Sequence, residues 1–105
     1  MKIGYANKKL EKECLQAKKY WGEIGEKILI RLSDLAAFEI LSQVPSAPPH
    51  RCHPYKDSTV KFSIDLTKNY RLIFSPAGTY ESREGVGIIR ESVKEIMIVE
   101  IKDPH

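Results

Sequence analysis

The chain has only two cysteines, one tryptophan and three histidines, and no apolar run approaches the ~20 residues that span a bilayer. Cys14 and Cys52 lie far apart and fit no disulfide framework, so both are read as reduced thiols. Residues 1–7 lack the apolar core of a signal peptide. A cytoplasmic protein without a membrane segment is the default expectation. A glycine-rich phosphate loop, a Gly-x-Ser-x-Gly elbow and a carboxylate cluster for a catalytic metal are all missing. His50, Cys52 and His53 crowd together without a distant second pair, which is not the usual tetrahedral zinc set. Neither a metal nor a cofactor is expected.

What is present suits one domain covering residues 1–105. An apolar fraction of 42% and a charged fraction of 30% are those of a folded globule rather than a disordered chain. The net charge is +3, which permits an anionic partner without requiring one. Residues 50–71 carry Arg51, Lys56, Lys61, Lys68 and Arg71 against Asp57 and Asp65. Five minus two equals the charge of the whole chain, and the remaining twelve basic and twelve acidic residues cancel. The basic surplus therefore reads as local to this stretch.

The same stretch has a strand pattern. Val60, Phe62, Ile64 and Leu66 alternate with polar residues, and after Thr67-Lys68-Asn69 the alternation resumes at Tyr70, Leu72 and Phe74. Period two buries one face and opens the other, and the polar break marks a hairpin. Upstream, residues 2–6 suggest an edge strand. Asn7 is a candidate N-cap, and Leu10, Cys14, Ala17 and Trp21 recur at helical spacing until Gly22. A second helix is expected from Ile24 through Ile28, Leu32, Leu35, Phe38 and Leu41, ending before Pro45. Residues 87–90 suggest a short strand, and the consecutive apolar run 96–99 a central strand covered on both faces. Helices followed by strands imply an α+β domain, with two N-terminal helices on one face of a mainly antiparallel twisted sheet.

If the helices cover the apolar side of the hairpin, the other side carries Lys61, Ser63, Asp65, Arg71 and Ile73. Arg71 interrupts an apolar run, and two readings stay open: a structural pair with Asp65 across the hairpin, or a guanidinium that binds phosphate. At the C-terminus, continued extension would send Met97, Val99, Ile101, Asp103 and His105 to one side. An acid and a histidine would then sit together at a strand end, where a histidine serves as general acid or base. Cations with a histidine and no metal suit cleavage of RNA, in which the 2′-hydroxyl attacks the neighbouring phosphorus.

Residues 53–56 (His-Pro-Tyr-Lys), 62–66 (Phe-Ser-Ile-Asp-Leu), 69–74 (Asn-Tyr-Arg-Leu-Ile-Phe) and 99–105 (Val-Glu-Ile-Lys-Asp-Pro-His) together resemble the RelE/HigB-like toxins of bacterial toxin–antitoxin systems, in the branch of plasmid maintenance killer proteins. The resemblance covers the chain from about Ile24 onward. It implies a RelE-like fold and a metal-independent, ribosome-dependent endoribonuclease that cuts mRNA and is held inactive by a cognate helix-turn-helix antitoxin. By position it implies that Lys56 neutralises the scissile phosphate and that Arg71 stabilises the transition state. Asp103 and His105 take the place of the family's closing acid and histidine, with His105 the acid or base. Arg51, His53, Lys61 and Lys68 are the expected RNA contacts. Two departures stand out: Pro104 replaces a tyrosine common in the family, and the loop after Lys56 is short and lacks the usual glycine. A same-fold toxin with another target, as in ParE-like gyrase inhibitors, and a weakened homologue that only binds RNA or antitoxin are the alternatives.

Overall fold

A computed structural model describes residues 1–56 and 58–103 of the chain. The readings placed on Pro104 and His105 lie outside the described residues. Strand β1 (Lys2–Tyr5) leads into helices α1 (Lys8–Leu15), α2 (Ala17–Trp21) and α3 (Gly25–Ala37). After a connector come β2 (His53–Pro54), β3 (Phe62–Asp65), β4 (Arg71–Pro76), β5 (Ser82–Arg83), β6 (Gly87–Ile88) and β7 (Glu95–Lys102). Five of these strands form one sheet in the order β1-β7-β4-β3-β2, with β5 and β6 pairing separately. Among the described residues, only the β1–β7 pairing within the sheet is parallel. The expected α+β fold, with the helices packed against a mostly antiparallel sheet, is the one observed.

Asn7 begins α1 as its spacing suggests: its side chain accepts the Leu10 N–H at 2.8 Å. The single helix expected over residues 7–20 is instead two, because Gln16 leaves helical geometry (φ −113°, ψ 44°). The break loses little backbone bonding. The Gln16 N–H still reaches the Lys12 carbonyl, and the Gln16 carbonyl accepts from Lys19 and Tyr20. Gly22 turns the chain at φ 56°, and Gly25 then brings α3 against α2. A Cβ on Gly25 would lie 2.5 Å from the Ala17 carbonyl oxygen, so only glycine permits this crossing.

Helix α3 is shorter than its apolar stripe predicts. It ends at Ala37, and Phe38 turns to extended geometry (ψ 143°). Two competitors for backbone bonds explain the stop. The Met1 amino group donates to the carbonyls of Leu35, Ala36 and Phe38, placing a cation at the helix C-terminus. The Gln43 side-chain oxygen accepts the Glu39 N–H at 2.7 Å. Leu41 instead enters a short 3₁₀ turn (Leu41–Gln43) and is buried there, its N–H bonded to the Val93 carbonyl.

The core lies between the helices and one sheet face. Leu10, Cys14, Ala17, Ile28, Leu32 and Leu35 meet Phe62, Ile64, Leu72, Phe74, Ile96 and Ile98. Phe62 and Phe74, opposite each other in register, stack at 6.0 Å. Strand β7 lies between β1 and β4 and is the longest, as its apolar run suggests. Val60 breaks the expected alternation: it is half-exposed and precedes the strand, in a turn where the Ser58 hydroxyl accepts the N–H groups of Val60 and Lys61.

Candidate functional site

The sheet face turned away from the helices carries two cross-strand rows. One runs His53, Ser63, Ile73, Glu100; the next runs Asp65, Arg71, Lys102. The row between them, Ile64, Leu72 and Ile101, packs into the core, so the flanking rows face the other way. Ile73 is wholly buried on this second face, which is therefore not uniformly open. Lys102 approaches Glu100 at 3.7 Å, an exposed pair that contributes little to stability.

The Asp65–Arg71 row is the polar centre of the face. Arg71 Nη1 donates to the carbonyls of Thr67 (3.1 Å), Lys68 (3.2 Å) and Tyr70 (3.2 Å), clasping the hairpin turn. Its Nε lies 3.1 Å from Asp65 Oδ1. This is a charge contact rather than an aligned hydrogen bond, and Oδ1 is buried with no hydrogen-bond donor among the described residues. Arg51 Nη1 donates to Asp65 Oδ2 at 3.2 Å. Of the two readings of Arg71, the cross-hairpin pair with Asp65 is present.

Behind this row sit three residues that sequence reading passed over as site members. Arg31, buried on α3, donates from Nε to the Asp65 carbonyl at 3.0 Å. Its Nη1 is 3.6 Å from Asp34 Oδ2, which pairs with His50 Nε2 at 2.9 Å. His50 in turn packs edge-on against Phe38, and its carbonyl accepts the Asp65 N–H at 2.8 Å. The signal for Arg31 was available: it stands three residues after Ile28 and one before Leu32, on the buried side of the helix, with Asp34 one turn on.

The remaining expected site residues are spread out. Cys52 is buried in the core while His53 is exposed on β2, so strand alternation separates the histidine–cysteine cluster. Among the described residues no group of three or more potential metal ligands converges. Lys61 faces Tyr55 across β2–β3, the Tyr55 N–H bonding the Lys61 carbonyl. Lys68 lies exposed in the hairpin turn. Lys56 follows β2 with φ 52°, its ammonium 5.3 Å from the Tyr55 ring centroid. From the register, Lys56 lies toward the opposite end of β3 from Arg71, roughly 15 Å along the strands. A groove at the Phe62 end of β3 is lined by Pro54, Ser58, Thr59, Phe62, Val86 and Arg90, with the Arg90 guanidinium 4.8 Å from the Phe62 ring centroid.

At the tail the expected parity changes. The β4–β7 register shifts between Ile73 and Phe74, leaving Val99 as the extra residue of a β-bulge. Met97 pairs with Ser75 away from the helices, whereas Ile101 packs on the core side. Met97, Val99 and Ile101 therefore do not share a face. Asp103 follows Lys102 at the Arg71 end of the sheet and is exposed.

The charge excess is also wider than the hairpin. Residues 8–21 contain five lysines against Glu11 and Glu13, a second local +3 that acids elsewhere cancel in the total. Tyr20 lies exposed there, with Lys12 and Lys19 ammonium groups 5.9 and 5.5 Å from its ring centroid.

No protein-family model matches the chain, and no curated protein matches it in sequence. Among solved structures it is similar to a chain described as a YoeB/ParE toxin from Agrobacterium tumefaciens, with a TM-score of 0.59 and 14% identity over 100% of both chains. At that identity the likeness is one of fold. No helix among the described residues is long and apolar enough to cross a membrane.

Proposed function

We propose that this chain is the toxin of a toxin–antitoxin pair and acts as a metal-independent, ribosome-dependent mRNA endoribonuclease in the cytoplasm. The observation that carries the reading is the Asp65–Arg71–Lys102 row with Arg51 beside it, on the sheet face opposite the helices of a fold like that of a YoeB/ParE toxin. Cations on such a face attract the phosphate backbone. The 2′-hydroxyl of the substrate RNA supplies the nucleophile. Arg71 stabilises charge developing on the phosphate, and Lys56, roughly 15 Å away along the strands, reaches toward the same phosphate from the far end of β3 once its ammonium leaves the Tyr55 ring. His105, with Asp103 near it in sequence, exchanges protons with the attacking or leaving oxygen. Arg51, His53, Lys61 and Lys68 hold the strand. The partners are the ribosome with its mRNA and a helix-turn-helix antitoxin that masks the toxin.

The test is inducible expression without the antitoxin, followed by mapping of mRNA 5′ ends. The expected result is growth arrest with new 5′ ends in translated messages, relieved by His105→Ala and by Arg71→Ala. Arrest undiminished in both variants would overturn the site.

A second reading has one observation in its favour. Arg71 Nε and Nη1 are already engaged within the chain, which suits a same-fold toxin that acts on another target without cutting RNA. DNA damage with intact mRNA after induction selects that reading.

A further inference from the structure

We propose that Asp65 occupies an anion seat formed by Arg51 and Arg71, and that an RNA phosphate replaces its carboxylate on binding; this rests on the RNA-cleaving reading. Asp65 is a poor fit as a purely structural partner. Guanidinium and carboxylate pair best through two parallel hydrogen bonds. Here each arginine supplies one contact: Arg51 Nη1 to Oδ2 at 3.2 Å, and Arg71 Nε to Oδ1 at 3.1 Å without alignment. Oδ1 remains buried without a hydrogen bond among the described residues.

The surroundings do not depend on the carboxylate. The Asp65 carbonyl is held by Arg31 Nε, and its N–H by the His50 carbonyl. The hairpin turn is held by Arg71 Nη1 on three carbonyls. If the carboxylate swings away, Arg71 stays in place with Nε toward the vacated seat. Arg51, with a half-exposed side chain, is free to follow an incoming ligand.

A phosphodiester carries the same single charge as the carboxylate and offers two non-bridging oxygens. The exchange is therefore charge-neutral, and tethering decides it. The carboxylate competes at the high effective concentration of an attached group. An isolated phosphate loses that competition, whereas RNA also held by Lys61 and Lys68 wins it. Asp65 thus acts as a specificity residue that suppresses binding of weakly anchored anions.

The experiment is fluorescence anisotropy of the purified chain with a short labelled single-stranded oligoribonucleotide, over a salt series. The variants are Asp65→Asn, Arg51→Gln, their double and the remote control Glu26→Gln, each checked by thermal melting. Asp65→Asn is expected to bind about tenfold tighter at low salt, with the salt slope steeper by about 0.7, because no displaced carboxylate remains to offset one cation of the seat. Arg51→Gln is expected to weaken binding, and the double variant to lose the gain. The proposal is overturned if folded Asp65→Asn binds no tighter, if the gain survives in the double variant, or if Glu26→Gln matches it. Displacement of the oligonucleotide by poly-glutamate as readily as by unlabelled RNA would assign the seat to carboxylates and overturn the phosphate assignment. Binding does not need the ribosome, so loss of the Asp65–Arg51 coupling sinks this inference alone. Absence of mRNA cleavage with the coupling intact sinks only the nuclease reading.

Discussion

Arg31, inside helix α3, donates to the backbone carbonyl of Asp65 at the end of strand β3, at 3.0 Å. One buried guanidinium thereby fixes the last helix to the hairpin that carries the candidate site.

Replacing Arg31 by methionine keeps its length and apolar stem but strands the Asp65 carbonyl, while Asp34 loses one charge contact and keeps His50. Losing a charge-assisted hydrogen bond and leaving that carbonyl without its donor costs about 2–3 kcal/mol. For a domain of this size that is a fall in melting temperature of roughly 10–15 °C. Arg31→Lys is expected to recover little, because one ammonium cannot reproduce the fork that reaches both groups. Calorimetry of the three proteins decides it: a fall of only a degree or two in Arg31→Met would mean that the bond does not join helix to sheet.

Arg31 also marks where sequence reading reaches its limit. Alternation located β3 and β4, a consecutive apolar run located β7, and a polar residue before a helical stripe located the Asn7 cap, because those signals are local. The end of α3 was not legible, since the groups that stop it are Met1, far away in sequence, and Gln43, beyond the stop. Nor was the tail parity, because the bulge at Val99 appears only in pairing with β4. In the site, Arg71 and Asp65 were visible as an oddity in an apolar run. Arg31, Asp34 and His50 were hidden because their importance comes from packing helix against hairpin.

The two thiols give a pH dependence. Burial is the main cause that pushes both Cys14 and Cys52 up to about 11 from 9.0, with Glu13 adding to the rise at Cys14 and Arg90 opposing it at Cys52. Below pH 9 both states hold neutral thiols and stability is unaffected by them. Between pH 9 and 11 the unfolded chain ionises while the folded one does not, so stability falls as pH rises. Two units correspond to at most about 3 kcal/mol per thiol. Urea unfolding at pH 7.5, 9 and 10.5 is expected to show the midpoint dropping over the last step. The Cys14→Ala/Cys52→Ala variant, less stable at pH 7.5 because it leaves cavities, should show a visibly smaller drop. Parallel curves would mean that other groups carry the alkaline loss.

Lys56 allows chemistry to be separated from folding. Its φ of 52° lies in the left-handed region, where a side chain costs about 1–2 kcal/mol that glycine does not pay. The greater freedom of glycine in the unfolded chain offsets part of this gain. Lys56→Gly should therefore leave the melting temperature within a few degrees of wild type, while Lys56→Ala keeps the strain. Both remove the ammonium. If Lys56 neutralises the scissile phosphate, cleavage falls by about 10²–10³ in both, the size of effect seen when one transition-state donor is deleted. If Lys56 only shapes the loop, Lys56→Gly should cut mRNA nearly as well as wild type. Single-turnover cleavage on programmed ribosomes, with thermal melts of the same preparations, distinguishes the two. Full activity in Lys56→Gly would remove Lys56 from the catalytic set and leave the reaction to the Arg71 end of the sheet.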